Sequence, residues 1–150
     1  MQKEESLLDA DGNRVTLPTA DFVLEGPKCT ATPQEHGGIE IDNNGSMCVL
    51  WYTAAVQNDI IIDLNFSPKN TSDGLGIVFW NSLGLDGSSI FALNQPPRYG
   101  DFPLYTNGNI TNYRTTYFGT NPGEDRAWST IRKDPGAIKT AQGPDLVGGS

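Results

Sequence analysis

The residues best suited to bind a ligand lie between positions 105 and 133, in the stretch YTNGNITNYRTTYFGTNPGEDRAWSTIRK. Residues 110–118 predict a strand with Asn112 and Arg114 on one face and Tyr117 on the other, because side chains alternate along a strand. Asparagine and arginine hydrogen-bond sugar hydroxyls, a planar guanidinium pairs bidentately with a carboxylate, and aromatic rings stack on sugar rings. These residue types indicate a sugar-binding groove, although an ordinary polar sheet face with cross-strand Thr and Tyr pairs contains them too.

The candidate ligand-binding residues are the polar and aromatic side chains of this stretch, namely Asn112, Arg114, Tyr117, Arg126, Trp128 and Arg132. No catalytic residue is assigned. Elimination on a uronate needs a base, such as Tyr105 or Tyr117, and a cation that neutralises the carboxylate, such as Arg114 or Arg132. Arg114 and Tyr117 face opposite sides of a regular strand, so that pair cannot act together.

Other catalytic and metal-binding patterns are incomplete. Glu40 and Asp42 place two carboxylates on one strand face, as in jelly-roll glycosidases, but Asn44 stands where a third carboxylate is needed. His36 is the single histidine of the sequence, and no zinc-ligand spacing surrounds it. Calcium is only weakly supported, because aspartates near loop glycines also form ordinary turns; these are Asp73, Asp86 and Asp101. The sequence therefore predicts no cofactor and no metal.

The charge is unevenly distributed along the chain. The formal net charge is −8, and residues 1–86 carry 13 acids and four bases, a net −9. Residues 98–139 carry six bases and four acids, a net +2. A strongly acidic protein is a poor nucleic-acid binder, because binding neutralises phosphates with a basic surface. We therefore expect no nucleic-acid partner, and the later segment suits a uronic acid or a single carboxylate.

The sequence contains no apolar run long enough to span a membrane, so no membrane partner is expected. The start lacks the apolar core of a signal peptide, while four glycosylation sequons point weakly to secretion. Cys29 and Cys48 can form a disulfide in an oxidising compartment or be two small hydrophobic residues in a reducing one. Because Cys48 lies in an apolar run, we expect burial without a bridge. No oligomeric state is predicted.

The elements that must position the candidate residues are strands. Short apolar runs and a high content of Gly (17) and Pro (10) favour an all-β domain rich in turns. Period-two alternation is clearest in Asp59–Ser67, and Leu75–Asn81 is apolar enough for a central strand. The other predicted strands are Asp21–Gly26, a hairpin over 38–53 turning at 43–45, Ile110–Gly119 and Trp128–Lys133.

The remaining segments predict loops. Residues 82–104 have no lasting period, and a long loop inside a compact domain is often functional. Residues 28–35 and 134–150 are also predicted loops, and no helix is predicted. We expect a polar leader over 1–20 and one β-sandwich domain over 21–150. Its strands, about seven, are too few to close the edges of two sheets.

Several runs, in the same order, resemble the YesU-like proteins; they are DIIIDLNFSP, GLGIVFW, DFPLYTNGNI, NYRTTYFG and DRAWSTIRKDPG, between Phe22 and Val147. The resemblance implies a concanavalin-type jelly-roll β-sandwich of two antiparallel sheets, related to lectins and glucanases. It also implies an association with breakdown of plant-type polysaccharides, notably rhamnogalacturonan, and it brings no established catalytic residues. Arg114 replaces a histidine frequent in the family, and the Arg126–Lys133 run is slightly shorter. Family members continue for several more strands, so the jelly roll is expected to be incomplete at its C-terminus.

The sequence therefore predicts a carbohydrate-recognising β-sandwich whose partner is an oligo- or polysaccharide, such as rhamnogalacturonan or another uronate-containing glycan. Two alternatives remain open. One is a polysaccharide lyase acting on a uronate-containing polymer, and the other is a truncated domain without independent activity.

Overall fold

The computed structural model describes residues 7–8, 14–15, 21–35, 37–56, 59–67, 69, 76–117 and 128–144. Within those ranges the chain forms ten strands and one short helix. Their bounds are β1 Leu7–Leu8, β2 Arg14–Val15, β3 Phe22–Glu25, β4 Thr30–Pro33, β5 Ile39–Asp42, β6 Val49–Tyr52, β7 Gly76–Gly84, α1 Phe102–Thr106, β8 Ile110–Tyr117, β9 Trp128–Asp134 and β10 Ile138–Pro144. The paired strands are antiparallel, which confirms the predicted all-β class.

The chain divides into two compact units, Met1–Ser67 and Pro68–Ser150. The described residues of the first unit form three two-stranded ladders, β1 with β2, β3 with β6, and β4 with β5. The ladder of β1 and β2 lies inside the stretch expected to be a polar leader. Val49 and Trp51 of β6 are buried because alternate residues of a strand share one face, and these two lie on the covered face.

The predicted hairpin over 38–53 is wrong, although its turn is present. The Ser46 amide donates to the Asn43 carbonyl at 2.8 Å, and Asn44 has a left-handed φ of 44°. After this turn, however, β6 pairs with β3, while β5 pairs with β4. Thr30–Pro33 is consequently a strand where a loop was predicted. The turn is encoded locally, but the choice of strand partner depends on segments distant in sequence.

Cys29 and Cys48 form a disulfide, which corrects the expectation of two separate buried side chains. The bridge joins the residue before β4 to the residue before β6. Cys48 is half-buried rather than buried, and its apolar neighbours carry no information about a second cysteine 19 residues away. An intact disulfide is typical of proteins that fold in oxidising compartments.

The strand predicted over Asp59–Ser67 is also wrong. In the described part of this segment only Ile61 has an isolated bridge, and the large apolar side chains are exposed. Period-two alternation places the apolar side chains on one face, as a half-buried sheet requires. A strand also needs a neighbour that accepts and donates backbone hydrogen bonds. Alternation alone therefore does not make this segment a strand.

The second unit is built on a four-stranded sheet with the order β10-β9-β8-β7. β8 lies inside the sheet, between β7 and β9, and its Ile110 is almost fully buried. The predicted strands are confirmed over 110–117 and 128–133, while residues 118–119 and the turn predicted at 121–123 lie outside the described residues. Among the described strands β7 is at an edge, which corrects its predicted central position.

The segment predicted as a long loop contains a tight turn after β7 and the helix α1. The Gly84 amide donates to the Ser88 carbonyl at 2.8 Å, which closes the turn. The hydroxyl and amide of Ser88 donate to the carboxylate of Asp86 and hold its pKa below the usual value. This geometry supports the turn interpretation of Asp86. The helix was not predicted, because five residues are too few to show a helical period.

Strand β10 corrects the loop predicted over 134–150. The chain reverses at residues 134–137, where Gly136 and Ala137 have left-handed φ values of 97° and 51°. β10 then pairs with β9, from Lys133 opposite Ile138 to Trp128 opposite Pro144. The sequence Asp-Pro-Gly is typical of a turn, and it was the local signal that this hairpin offered.

Candidate functional site

Three cations lie in one row across the four-stranded sheet. In the register, Phe79 of β7 is opposite Arg114 of β8, which is opposite Arg132 of β9, which is opposite Lys139 of β10. Directly opposed residues in antiparallel strands share a face, so all four side chains lie on the same side. We call Arg114, Arg132 and Lys139 the cationic row. At about 4.8 Å per strand spacing, its ends are about 10 Å apart.

The three cations differ in exposure and in partners. Arg114 is 7% exposed, and its Nε donates to Asp134 Oδ2 at 2.7 Å. Arg132 is half-buried and donates through Nη1 to the Ala137 carbonyl at 2.9 Å. Lys139 is exposed, and its Nζ donates to the Gln142 amide oxygen at 2.7 Å. Side-chain exposure therefore increases along the row, from the buried, ion-paired Arg114 to the exposed Lys139.

Asp134 is the acidic residue at the described strand positions of this face, so these positions of β7–β10 carry three cations and one carboxylate. The aspartate is 0% exposed. One carboxylate oxygen accepts from Arg114, and the other accepts from the Ala137 amide at 3.2 Å. Because the Ala137 carbonyl in turn accepts from Arg132, one buried carboxylate positions both arginines, directly in one case and through the turn in the other.

Asn112 anchors the helix to the sheet beneath it. Its side chain is almost fully buried, and Nδ2 donates to the backbone carbonyl of Tyr105 in α1 at 2.8 Å. Its Oδ1 has no hydrogen-bond partner among the described residues. At 1% exposure, Asn112 acts in packing α1 on the sheet and is not accessible to a ligand from solvent.

Helix α1 covers the part of this face formed by β7 and β8. Tyr105 is fully buried, its ring lies 5.9 Å from the Phe79 ring, and its hydroxyl accepts from the Gly100 amide at 2.9 Å. Phe102, at the start of the helix, places its ring 5.5 Å from the guanidinium carbon of Arg114. Tyr105 is too enclosed to be the base considered for an elimination reaction.

The opposite face of the sheet has a different character. Trp80 and Tyr113 stack across β7 and β8 with ring centroids 6.0 Å apart, and the Lys133 ammonium lies 5.8 Å from the Tyr113 ring. The hydroxyls of Thr115 and Ser129 are 2.9 Å apart. The polar and cationic groups of this face contact one another. The cationic row on the other face instead has more positive than negative groups.

The structure brings three of the six sequence-predicted site residues together. Asn112, Arg114 and Arg132 lie on one face, and Asn112 and Arg114 are more buried than a groove of exposed residues requires. Tyr117 ends β8 opposite Gly76, and Trp128 begins β9 opposite Pro144, but their side chains lie outside the described residues. Arg126 lies outside them as well, as does His36.

Three residues of this face were not predicted from the sequence. Lys139 was assigned to a loop, and only the Asp-Pro-Gly turn signal could have placed it on a strand beside Arg132. Asp134 was read as part of the same loop. Phe102 lies in the segment expected to be functional because of its length, but no sequence signal placed its ring over Arg114.

The described residues contain no group of three or more His, Cys, Asp or Glu that could hold a metal ion. Nor does any helix in the described ranges have the length and apolar character needed to cross a membrane.

The resemblance to the YesU-like proteins is confirmed. The chain is 31% identical over 147 residues to the uncharacterised protein YesU of Bacillus subtilis (strain 168), an alignment that covers 97% of this chain and 66% of YesU. A crystal structure described as a protein of unknown function with galectin-like fold from Bacillus subtilis superposes with a TM-score of 0.64. It is 19% identical, and the match covers 99% of this chain and 68% of that one.

The similarity to the galectin-like crystal structure confirms the predicted jelly-roll fold class. The profile of the family described as Domain of unknown function (DUF1961) matches residues 8–150. Since this match extends over most of the sequence and agrees with the similarity to YesU, the chain belongs to the DUF1961 family.

Proposed function

We propose that the protein binds a uronate-containing polysaccharide, of which rhamnogalacturonan is an example, through the cationic row. The observation that carries the proposal is the alignment of Arg114, Arg132 and Lys139 on one sheet face, where Asp134 pairs with Arg114. The galectin-like fold named for the structural neighbour supports a carbohydrate ligand.

The charge on the row favours a ligand with separate carboxylates. The net charge of the protein is −8, whereas the three cations of the row and Asp134 together have an excess of two positive charges. Arginine pairs bidentately with a carboxylate, and lysine acts as a point charge. A nucleic acid would meet this short row and then the acidic remainder of the protein, where phosphates are repelled.

The row next to the cations supplies groups that suit sugar hydroxyls. Thr116 of β8 lies opposite Thr130 of β9, and Thr130 lies opposite Gln142 of β10. Hydroxyl and amide groups both donate and accept hydrogen bonds, as sugar hydroxyls do. A free inorganic anion would use only the cations, whereas a uronate would use both rows.

The experiment is calorimetric titration with tetragalacturonate and with the same tetrasaccharide after reduction of its carboxyl groups. We expect the acidic ligand to bind and the reduced one to bind at least about 10-fold more weakly, because a hydrogen bond to a charged group contributes about 1.5–3 kcal/mol. Arg132→Gln should weaken acidic binding by a similar factor and change the reduced ligand little.

Lys133→Gln is the matched control, since Lys133 is the next residue of β9 and lies on the opposite face beside Tyr113. It removes the same charge from the protein but leaves the row intact, so its affinity should stay within about twofold of the native value. Equal binding of acidic and reduced ligands, or equal losses in Arg132→Gln and Lys133→Gln, would contradict the proposal.

A further inference from the structure

We infer that Phe102 is the aromatic platform on which a sugar ring stacks, next to the cations that hold the carboxylate. The inference rests on the proposed function and adds to it a residue that supplies non-ionic affinity. It starts from the position of the Phe102 ring, 5.5 Å from the guanidinium carbon of Arg114. A sugar ring can stack on an aromatic side chain, and the Phe102 ring lies on the same face as the cations.

The backbone beneath Phe102 is held in place on several sides. Pro103 occupies the first turn of α1, where its restricted φ favours the helix. Tyr105 is fully buried and receives hydrogen bonds at both its hydroxyl and its carbonyl, from Gly100 and Asn112. The Thr106 hydroxyl donates back to the Phe102 carbonyl at 3.3 Å. The helix is therefore attached to the sheet through Tyr105, and Phe102 is presented by a rigid support.

The ring itself remains open to solvent. Phe102 is 36% exposed, although it lies at the start of a helix whose Tyr105 is 0% exposed. About a third of the ring surface is therefore available to a ligand, while the rest packs against the protein. The contact with Arg114 fixes the ring orientation through a cation–π interaction.

Stacking on Phe102 places a sugar beside the cationic row. Arg114 is the first cation of the row and touches the Phe102 ring, and Arg132 is its neighbour one strand away. A sugar on the ring would thus have its substituents within reach of the half-buried Arg132 and the exposed Lys139. Arg114, already paired with Asp134, orients the platform, while Arg132 and Lys139 meet the carboxylates.

Calorimetric titration of Phe102→Ala, with tetragalacturonate and its carboxyl-reduced form, tests this inference. We expect affinity for each ligand that the native protein binds to fall by about 3- to 10-fold, because stacking does not depend on the carboxylate. The loss should be the same at low and high salt. The loss in Arg132→Gln, in contrast, should be confined to the acidic ligand and should shrink as salt rises.

Two further variants of Phe102 separate stacking from folding. Phe102→Trp keeps an aromatic face and should retain affinity, whereas Phe102→Leu keeps an apolar cover on Arg114 but should lose affinity as Phe102→Ala does. Phe91→Ala is the matched control, since Phe91 is 38% exposed and its ring has no contact with Arg114. It should bind like the native protein.

The outcomes distinguish the inference from the function on which it rests. Native affinity in Phe102→Leu, with acidic binding intact in the native protein, would overturn the inference and leave the proposed function standing. Equal native binding of both ligands, lost in Phe102→Ala, would overturn the preference for uronates and support the platform. Absence of binding of either ligand by the native protein would overturn both.

Discussion

At the scale of single residues, the site depends on one buried carboxylate. Asp134 accepts from Arg114 and from the amide of Ala137, so it neutralises a buried charge and also shapes the turn after β9. A buried ion pair contributes little relative to an apolar pair of the same shape, but removal of one partner leaves an uncompensated charge. Asp134 is therefore essential to the site without being a ligand-binding residue itself.

Asp134→Asn should lower the free energy of unfolding by about 3–5 kcal/mol, because Arg114 then stays buried without a counter-ion. The asparagine retains an oxygen that can accept from Ala137, so the turn is preserved as far as a single substitution allows. Urea unfolding measures the change. The double variant Arg114→Met/Asp134→Asn should recover part of the loss, since it removes the unpaired charge. A double variant no more stable than Asp134→Asn would contradict this explanation.

Gly84 is a second residue with a specific structural role, because neighbouring side chains lie close to the place that a Cβ would occupy. A Cβ at this position would meet Gln95 Nε2, Asp86 Oδ1 at 2.7 Å and Ser88 Oγ at 2.7 Å. All three atoms are the ends of side chains that can shift, so Gly84→Ala should destabilise the protein by only about 1 kcal/mol, the lower end of the overpacking range. Gly143→Ala is the control, because nothing lies within 4 Å of a Cβ there. Thermal unfolding compares the two, and equal losses would refute the packing argument.

At the scale of elements, the site is formed by the β9–β10 hairpin together with α1. The hairpin brings Lys139 opposite Arg132, and the helix brings Phe102 over Arg114. Strand β8 alone supplies Arg114 and Asn112, which are too buried to hold a polymer by themselves. The most exposed residues of the site, Lys139 and Phe102, thus come from β10 and α1, the two elements that were not predicted.

The disulfide is the element-scale feature of the first unit. It joins Cys29 to Cys48 across a separation of 19 residues, and a loop of this size corresponds to about 3 kcal/mol in the chain-entropy model. Cys29→Ser/Cys48→Ser should lower the free energy of unfolding by about that amount, as measured in urea. A reductant should bring the native protein down to the level of the variant and leave the variant unchanged. Two free thiols in the unreduced native protein would contradict the prediction.

At the scale of the whole molecule, the charge distribution restricts the class of ligand. An acidic protein with a short basic row is expected to attract a carboxylate locally and to repel a continuous polyanion elsewhere. The row lies on the unit Pro68–Ser150, whereas most of the acids belong to the first 86 residues. Because the attraction to the row would be electrostatic, binding of an acidic ligand should weaken as the salt concentration rises.

Affinity for tetragalacturonate should decrease as the salt concentration rises from about 0.05 to about 0.5 M. The reason is that the Debye length then falls from about 14 to about 4 Å, which screens the attraction between the row and the carboxylates. Lys139→Gln should reduce the salt dependence, because it removes the most exposed cation of the row. Fluorescence titration of labelled duplex DNA at the lower salt should show no binding. Duplex DNA bound more tightly than the oligosaccharide would contradict the assignment of the ligand class.

The sequence determined the features that depend on neighbouring residues. Alternation in Ile110–Tyr117 predicted a strand with Asn112 and Arg114 on one face, the Asn43–Gly45 turn was recognised, and the positive charge of residues 98–139 indicated the basic part. Each of these follows from local geometry, since side-chain direction along a strand and φ preferences in a turn are properties of a few consecutive residues.

Only the tertiary structure decided which segments pair and what becomes buried. Asp59–Ser67 alternates clearly but forms no named strand in the described residues, whereas Ile138–Pro144 pairs with β9 despite its loop-like composition. Pairing depends on backbone hydrogen bonds from distant segments, which no local pattern contains. The same reason explains the site: Arg114 was recognised from its own strand, but its partner Asp134, its neighbour Lys139 and the Phe102 ring above it were placed by long-range contacts.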